Sequence, residues 1–466
     1  MIPARKVYYM LLFSFIITIT VFSCSKDTIS ETPPGSLRFS ADTIFFDTIF
    51  TGTGSPTKHF KIYNPLKNSL RINSLYLAGG TDSPYRINVD GIAGHNFSDI
   101  DLGGGDSLFV FVEVTIDPFE NQNPVIVQDS IVFISGGGIQ AVKLVSWGQD
   151  VHVIRGMALD TQTLSASKPY LVYDYLKVKP DHVLTVEPGV RIYFHKNARL
   201  YVEGTIKALG TFEDPVIFQG SRTEAVYRNI PGQWEGIWLM PGSSNNMFVY
   251  SRIRNALNGI IADSLKHPEA SVLYLENTRI ENMTYSGLFA RSSEIYSRNT
   301  VISNCGHHAI VINNEGNYQF YHNTIANYWN FSFRSSPSVM INNDTGNNTE
   351  PLSVIFGNSI IHGLLENEIR FSAHAGSDGD ILFNHCLVNF RNADSFPLIF
   401  RNCIINTDPG FVDGKAQDFH LDENSPAIDA GDPETAVLHP FDFAGRSRIN
   451  TAPDIGAFER VEDELQ

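Results

Sequence analysis

The chain has 466 residues, more than one ordinary domain holds, so two or three folding units are expected. Charged residues make up only 18% of it, and 36 glycines and 23 prolines punctuate it, a balance that argues against a mainly helical protein. A net charge of −16 argues against nucleic acid as partner, since a phosphate backbone needs clustered Lys and Arg.

Arg5 and Lys6 precede an almost unbroken apolar run from Val7 to Phe22, short for a transmembrane helix and suited to a removable export signal. The run ends in Val21-Phe22-Ser23-Cys24. An apolar residue, a small residue and then cysteine resembles the lipobox of bacterial lipoproteins. The resemblance implies a signal peptide over 1–23, acylation of Cys24 and firm anchoring in a membrane, because two or more acyl chains make attachment stable. The alternative is a plain secretory signal with an incidental cysteine. Residues 24–36, with Pro33, Pro34 and Gly35, read as a tether. Ser25-Lys26-Asp27 places no acidic residue directly after the cysteine, which is compatible with the outer membrane or cell surface of a Gram-negative bacterium. Cys305, Cys386 and Cys403 remain, an odd number that rules out a full disulfide framework.

Over 37–150, alternating runs such as Phe60-Lys61-Ile62-Tyr63 and Ser107-Leu108-Phe109-Val110-Phe111-Val112 are broken at Asn64-Pro65, Gly79-Gly80, Gly103-Gly104-Gly105 and Gly136-Gly137-Gly138. This spacing predicts an antiparallel, Ig-like β-sandwich. Phe46-Asp47-Thr48, Gly105-Asp106-Ser107, Asp129-Ser130-Ile131 and Val142-Lys143-Leu144 resemble the abnormal-spindle/hydin type of Ig-like domain, which implies a spacer or docking module and no chemistry.

Past Val151 come Leu184-Thr185-Val186, Arg191-Ile192-Tyr193-Phe194, Leu200-Tyr201-Val202, Val216-Ile217-Phe218 and Ile237-Trp238-Leu239, short strands with no helix between them. The stretch resembles the opening coils of pectate-lyase-like proteins, which implies a right-handed parallel β-helix over 151–420. A repeat supports a solenoid. Asn277-Thr278-Arg279-Ile280 returns as Asn299-Thr300-Val301-Ile302, Asn323-Thr324-Ile325-Ala326, Asn358-Ser359-Ile360-Ile361 and Asn402-Cys403-Ile404-Ile405, with His385-Cys386-Leu387-Val388 in the same register. Coils about 4.8 Å apart stack equivalent side chains into columns. The Asn column is expected to bond side chain to side chain, the Thr/Ser/Cys column to be small, and the Ile/Val column to fill the core. Cys386 and Cys403 then neighbour each other as packed thiols, with a disulfide as the alternative.

The fold class is thus all-β, and 421–466 closes it. Ser425-Pro426-Ala427-Ile428-Asp429-Ala430-Gly431-Asp432-Pro433, Asp442-Phe443-Ala444-Gly445-Arg446 and Asp454-Ile455-Gly456-Ala457-Phe458-Glu459 resemble the choice-of-anchor Q region of secreted β-helix proteins. That resemblance implies a cap blunting the last coil. Asp429, Asp432, Asp442, Asp454 and Glu459 are candidate oxygen ligands for calcium. The alternative is that Arg446 and Arg448 pair with them and hold the cap together.

Many pectate-lyase-like helices cleave acidic polysaccharides, the lyases with a Lys or Arg base and often calcium, the hydrolases with two carboxylates. Here Glu281, Glu294, Glu315, Glu366, Glu368, Asp378 and Asp380 show no recognisable pairing. Gly306-His307-His308 partly resembles the Gly-His-Gly of polygalacturonases, but the accompanying Asn-Thr-Asp, Asp-Asp and Arg-Ile-Lys motifs are missing, so both histidines read as turn residues. Trp234, Trp238, Tyr328 and Trp329 are candidates to stack on sugar rings, with Arg334 opening a polar loop to Pro351 that is placed to shape a groove. Trp234 and Trp238 share strand parity, so at least one belongs to the core. Asp-Ser/Thr-apolar tripeptides recur, at Asp42-Thr43-Ile44, Asp106-Ser107-Leu108, Asp129-Ser130-Ile131 and Asp263-Ser264-Leu265 among others. They resemble a bacterial O-glycosylation signal, and equally fit plain strand alternation. The expectation is a lipid-anchored surface protein, glycan-binding or structural, whose partner is a polysaccharide. The alternatives are a polysaccharide lyase or hydrolase with dispersed residues, and a protein adhesin, which predicts an exposed apolar patch.

Overall fold

Contacts divide the chain into two units, one ending at Asp150 and one beginning at Val151. The computed structural model describes residues 36–265, 272–343, 351–372, 380–449 and 452–460, so the export signal and Cys24 lie outside the described residues.

In the first unit, one sheet orders Arg38–Phe39, Lys58–Tyr63, Ser107–Val114, Tyr85–Val89 and Ile92–Gly94. The other orders Thr43–Phe50, Gly138–Gln149, Val125–Ser135, Leu70–Leu77 and Asn96–Leu102. Period-two alternation assigns the faces: Leu108, Val110, Val112 and Val114 are buried, while Phe109 and Phe111 face out. The sheets share one core, in which Phe39 meets Phe133 at 4.8 Å and Phe46 meets Tyr85 at 6.0 Å. One pair departs from the antiparallel expectation: Thr43–Phe50 runs parallel to Gly138–Gln149. In Asp106-Ser107 and Asp129-Ser130 the carboxylate accepts the next residue's N–H at 2.7 Å, and the following Leu108 or Ile131 is buried, as strand alternation requires.

The second unit is a parallel β-helix, one 26-stranded sheet wound so that three strands make a coil. Its first face carries inward the in-register column Phe218, Ile253, Ile280, Ile302, Ile325, Ile361 and Val388. The second carries Leu200, Ile237, Ile260, Leu288, Ile310, Val339 and Ile369. The third ends in a stack of Phe320, Phe356, Phe383 and Phe400, with rings 4.6, 5.0 and 5.0 Å apart.

The expected asparagine column lies at the turn between the third and first faces, for a backbone reason. Asn277, Asn299, His322, Asn358, His385 and Asn402 all adopt φ between 47° and 52°, the left-handed region that Asn and His tolerate better than most residues with a side chain. Asn299 Nδ2 donates to Asn277 Oδ1 at 2.9 Å, and Asn358 Nδ2 lies 3.2 Å from His322 Nε2. One coil departs from the repeat as read from sequence. His322, not Asn323, takes the turn position, and Asn323 falls in the next column, because Thr324 pairs with Val301. That next column holds Thr278, Thr300, Asn323, Ser359, Cys386 and Cys403. Its hydroxyls and thiols return to the carbonyl two residues back, as in Thr278 Oγ1 to Glu276 O at 3.0 Å, Ser359 Oγ to Gly357 O at 2.9 Å and Cys386 Sγ to Asn384 O at 3.4 Å. Sulfur there plays the part of a hydroxyl, and the cysteines are free. At the turn from first to second face, Gly259 precedes the in-register Ile260, and a Cβ on it would stand 2.4 Å from Gly287 O.

The C-terminal segment was expected over the last coil; instead it lies along the flank. Outward on the first face stand Val301, Ile360, Leu387 and Ile404, in register with Thr324. Phe419, Ala457 and Phe458 cover Val301 and Ala326, and Leu421, Ala427 and Ile455 cover Ile360 and Leu387. Polar contacts follow the same coils: Gln417 Nε2 to Asn282 Oδ1 at 2.8 Å, Ala457 N to Thr324 Oγ1 at 3.0 Å and Asp432 N to Asn358 Oδ1 at 2.7 Å. The physical reason is that a face apolar on both sides must be covered on both. Among the described residues no helix is long and apolar enough to cross a membrane. Phe458→Ala should empty a buried aromatic site, lower stability by about 3–5 kcal/mol in urea unfolding, and make the segment after Leu421 sensitive to protease.

Candidate functional site

The early coils of the second face carry the outward aromatic row. In Arg199–Val202 and Gly236–Leu239, Leu200, Val202, Ile237 and Leu239 point into the core, which turns Tyr201 and Trp238 outward in register. Lys177 occupies the same row one coil earlier, and Ile261, Phe289, Val311 and Met340 continue it. The Tyr201 and Trp238 rings are 5.9 Å apart at 43°, and Tyr175, 38% exposed, lies 6.4 Å from Tyr201. The Arg199 guanidinium is 5.7 Å from the Tyr201 ring and 5.5 Å from that of Trp238. Each charge beside these rings is answered: Arg199 Nη2 meets Glu235 Oε2 at 2.6 Å, and Lys177 Nζ meets Glu203 Oε2 at 3.1 Å. The platform is aromatic, half-buried and locally neutral.

Trp238 carries a cost in its indole N–H. Its Nε1–H is shielded from solvent and has no acceptor, a loss of about 1–3 kcal/mol.

The other stacking candidates have structural duties. Trp234 is 1% exposed, stacked on Phe194 at 4.1 Å, with Nε1 donating to Arg254 O at 2.9 Å. Trp234 is thus the tryptophan of the shared strand parity that lies inside, and Gly236, at φ 106°, separates it from the strand that presents Trp238. Trp329 is buried over Gly306 and donates to Ser332 Oγ at 3.0 Å. Tyr328 is half-buried, its hydroxyl 2.9 Å from His362 Nδ1 and its ring against Phe411 of the C-terminal segment. Arg334 is buried and pairs through both terminal nitrogens with Glu368, at 2.5 and 2.9 Å, so it faces no ligand. Glu368 also accepts from Ser338 N, Ser338 Oγ and Leu365 N. This node pins the 328–338 loop to the coil. His307 lies in a bend as expected, but His308 opens the His308–Tyr321 strand, paired with Ser286, and its Nδ1 lies 2.6 Å from Pro337 O in the same loop.

The five calcium candidates do not converge. Asp432 caps the Pro433–Leu438 helix, accepting from Thr435 N at 3.1 Å. Asp442 accepts Arg446 N and Glu459 N, and Asp454 accepts Asp429 N and Arg460 N. The Glu459 carboxylate accepts from Arg448 Nη1 and Asp454 N. Backbone N–H groups and Arg448 use the lone pairs a cation would need, and among the described residues no group of three or more His, Cys, Asp and Glu is placed to hold a metal ion. Arg448 is fully buried and reaches Asn299 Oδ1 at 3.1 Å, so it ties the segment to the turn column. Burial pushes Glu459 up to about 7 and His439 down to about 4, the latter helped by Arg298 and Arg448.

Of the scattered carboxylates, Glu281 is paired with Arg252 at 2.6 Å, Glu366 with Arg391 at 2.8 Å and Glu368 with Arg334. Asp378 and the side chain of Asp380 lie outside the described residues. Sequence reasoning missed Tyr175, Lys177, Arg199, Tyr201, Glu203 and Glu235. The available signal was the match of Leu200-Tyr201-Val202 to Ile237-Trp238-Leu239.

No protein-family model matches the chain, and no curated protein matches it. Among solved structures, an ASH/PapD-like domain of human CEP192 is similar at 10% identity over 28% of this chain and 96% of that one, with a TM-score of 0.18. A family 123 glycoside hydrolase from Clostridium perfringens matches at 8% identity over 24% of this chain and 25% of its own, with a TM-score of 0.17. The VesB protease of Vibrio cholerae matches at 13% identity over 24% of this chain and 32% of its own, with a TM-score of 0.18.

Glu368→Gln should leave Arg334 buried without its counter-charge and cost about 3–5 kcal/mol, with limited proteolysis at 328–338 as the readout. His439 is held neutral, so its contribution is complete above pH 6.5 and is lost as pH falls toward 4; Glu459 acts oppositely, losing its contribution as pH rises through 7. Relative to wild type, His439→Phe should therefore gain urea stability steadily as pH falls from 6.5 to 4.

Proposed function

We propose that this chain is a lipid-anchored surface protein that binds a glycan on the second face of its β-helix. In this reading Cys24 carries the anchor, the sandwich is an Ig-like spacer, and the C-terminal segment is of the choice-of-anchor Q kind. The observation that carries the reading is the Tyr201–Trp238 pair, outward and in register on a stiff scaffold. Sugar rings bury their apolar faces on such side chains, while neighbouring charged groups supply hydrogen bonds. Cleavage is less well supported, because Glu281, Glu366, Glu368, Glu203 and Glu235 all sit in ion pairs.

A second reading, a protein adhesin, draws on the sandwich. Phe109 and Phe111, each 38% exposed, stack at 5.9 Å on its outer face, with Lys61 over Phe109.

A glycan array probed with the full chain in detergent should give binding that Trp238→Ala abolishes and Phe109→Ser leaves intact. Loss with Phe109→Ser alone would favour the adhesin. Cys24→Ser should move the protein from the membrane fraction to the soluble fraction in a Gram-negative host, and an unchanged distribution would remove the lipid anchor.

A further inference from the structure

We infer that the ligand of the second face is a single, neutral, extended polysaccharide chain lying along the β-helix axis. This rests on the glycan-binding reading and specifies its substrate class.

Orientation follows from the fold. Tyr201 and Trp238 are one coil apart in the same row, so a line through them runs along the axis. Coils advance by about 4.8 Å, close to the advance of one sugar residue in an extended chain. Consecutive sugars can therefore meet consecutive coils, as a ligand lying across the coils cannot.

Charge selects against acidic polymers. A polyuronate brings one negative charge per residue and needs unpaired cations at matching intervals. The two cations beside the rings, Lys177 and Arg199, are already matched by Glu203 and Glu235 at 3.1 and 2.6 Å. An incoming carboxylate would have to displace a carboxylate from each. Neutral hydroxyls have no such competitor: ion-paired carboxylates keep lone pairs to accept from them, and Lys177 and Arg199 keep N–H groups to donate.

Ring angles select a single chain over a crystalline surface. A flat polymer face needs coplanar rings, but Tyr201 and Trp238 are inclined at 43° and Tyr175 and Tyr201 at 73°. A chain that turns from one residue to the next can follow them.

The experiment is affinity electrophoresis of the full chain in detergent through gels containing soluble neutral polysaccharides (a mixed-linkage β-glucan, a mannan, a xylan), polygalacturonate or alginate. Calorimetry with neutral oligosaccharides of increasing length and a pull-down on crystalline cellulose complete it. Retardation by at least one neutral polymer is expected, unchanged between low and high salt. Affinity should rise with length until the oligosaccharide spans the row, and fall roughly tenfold, about 1.4 kcal/mol, in Trp238→Ala and in Tyr201→Ala. Trp238→Phe, which keeps an aromatic ring, should retain most of it; circular dichroism checks that each variant folds. Preference for polygalacturonate or alginate, binding that weakens with salt, or retention on crystalline cellulose alone would overturn the neutral single-chain assignment and leave the glycan reading standing. Neutral-polymer binding that survives both alanine variants would overturn the placement on this row. No binding to any glycan, here or on the array, would overturn the glycan reading itself.

Discussion

Parallel stacking at a fixed rise is the constraint from which the second unit follows. Each strand must pair with the strands above and below it, about 4.8 Å away, so a residue's neighbours are set by register, not by sequence distance. Any side chain that suits one position must also suit its own repetition. Flat rings meet that demand well, as the Phe320–Phe356–Phe383–Phe400 stack shows. So do residues that accept a left-handed backbone while bonding to a copy of themselves, which explains Asn277 over Asn299. Serine, threonine and cysteine in the adjacent column solve one problem three ways, each returning a short donor to a carbonyl two residues back.

The same constraint creates the need for the C-terminal segment. A β-helix face exposed to water would alternate inward apolar and outward polar residues. The first face breaks alternation at Val301, Ile360 and Leu387, and these are buried because chain from beyond residue 410 crosses over them. Its polar seam is built into the turn column. Arg448, buried, donates to Asn299 and Glu459, so the side chains that hold coil to coil also hold segment to coil. The acids that resembled a cation site are in this seam for the same reason: they receive the backbone N–H groups of a chain that has no strand to pair with.

How far the sequence could be read depended on how local each determinant was. The strand alternation of Ser107–Val114 and the returning Asn-Thr/Ser-x-Ile pattern are both contained in a few residues, and both faces and repeats were legible from them. His322 and Asn323 show the limit. An asparagine beside a threonine matched the pattern, yet pairing of Thr324 with Val301 shifts the register by one and gives histidine the turn. The flank position of the C-terminal segment was not legible, because it depends on contacts more than a hundred residues apart, such as Ala457 with Thr324. The fate of Arg334 was hidden likewise, since a polar loop residue and a buried ion pair read the same until Glu368 is placed beside it.

The candidate site lies between these cases. Trp238 was visible as a tryptophan on a strand, but not as one half of a pair, because the 221–235 connection separates it from Tyr201's coil and obscures the register. That connection also supplies Glu235, which neutralises Arg199 and leaves the rings between paired charges. A catalytic groove generally needs some group held away from its ideal partner, so that its proton affinity or charge is available to a substrate. Around Tyr201 and Trp238 the charged groups are instead closed on one another, while burial shifts the proton affinities of Arg448, Glu459 and His439 in the seam of the C-terminal segment. What this face offers a ligand is shape, apolar area and a fixed repeat. Under the proposed glycan-binding reading, those are the properties that hold a polymer.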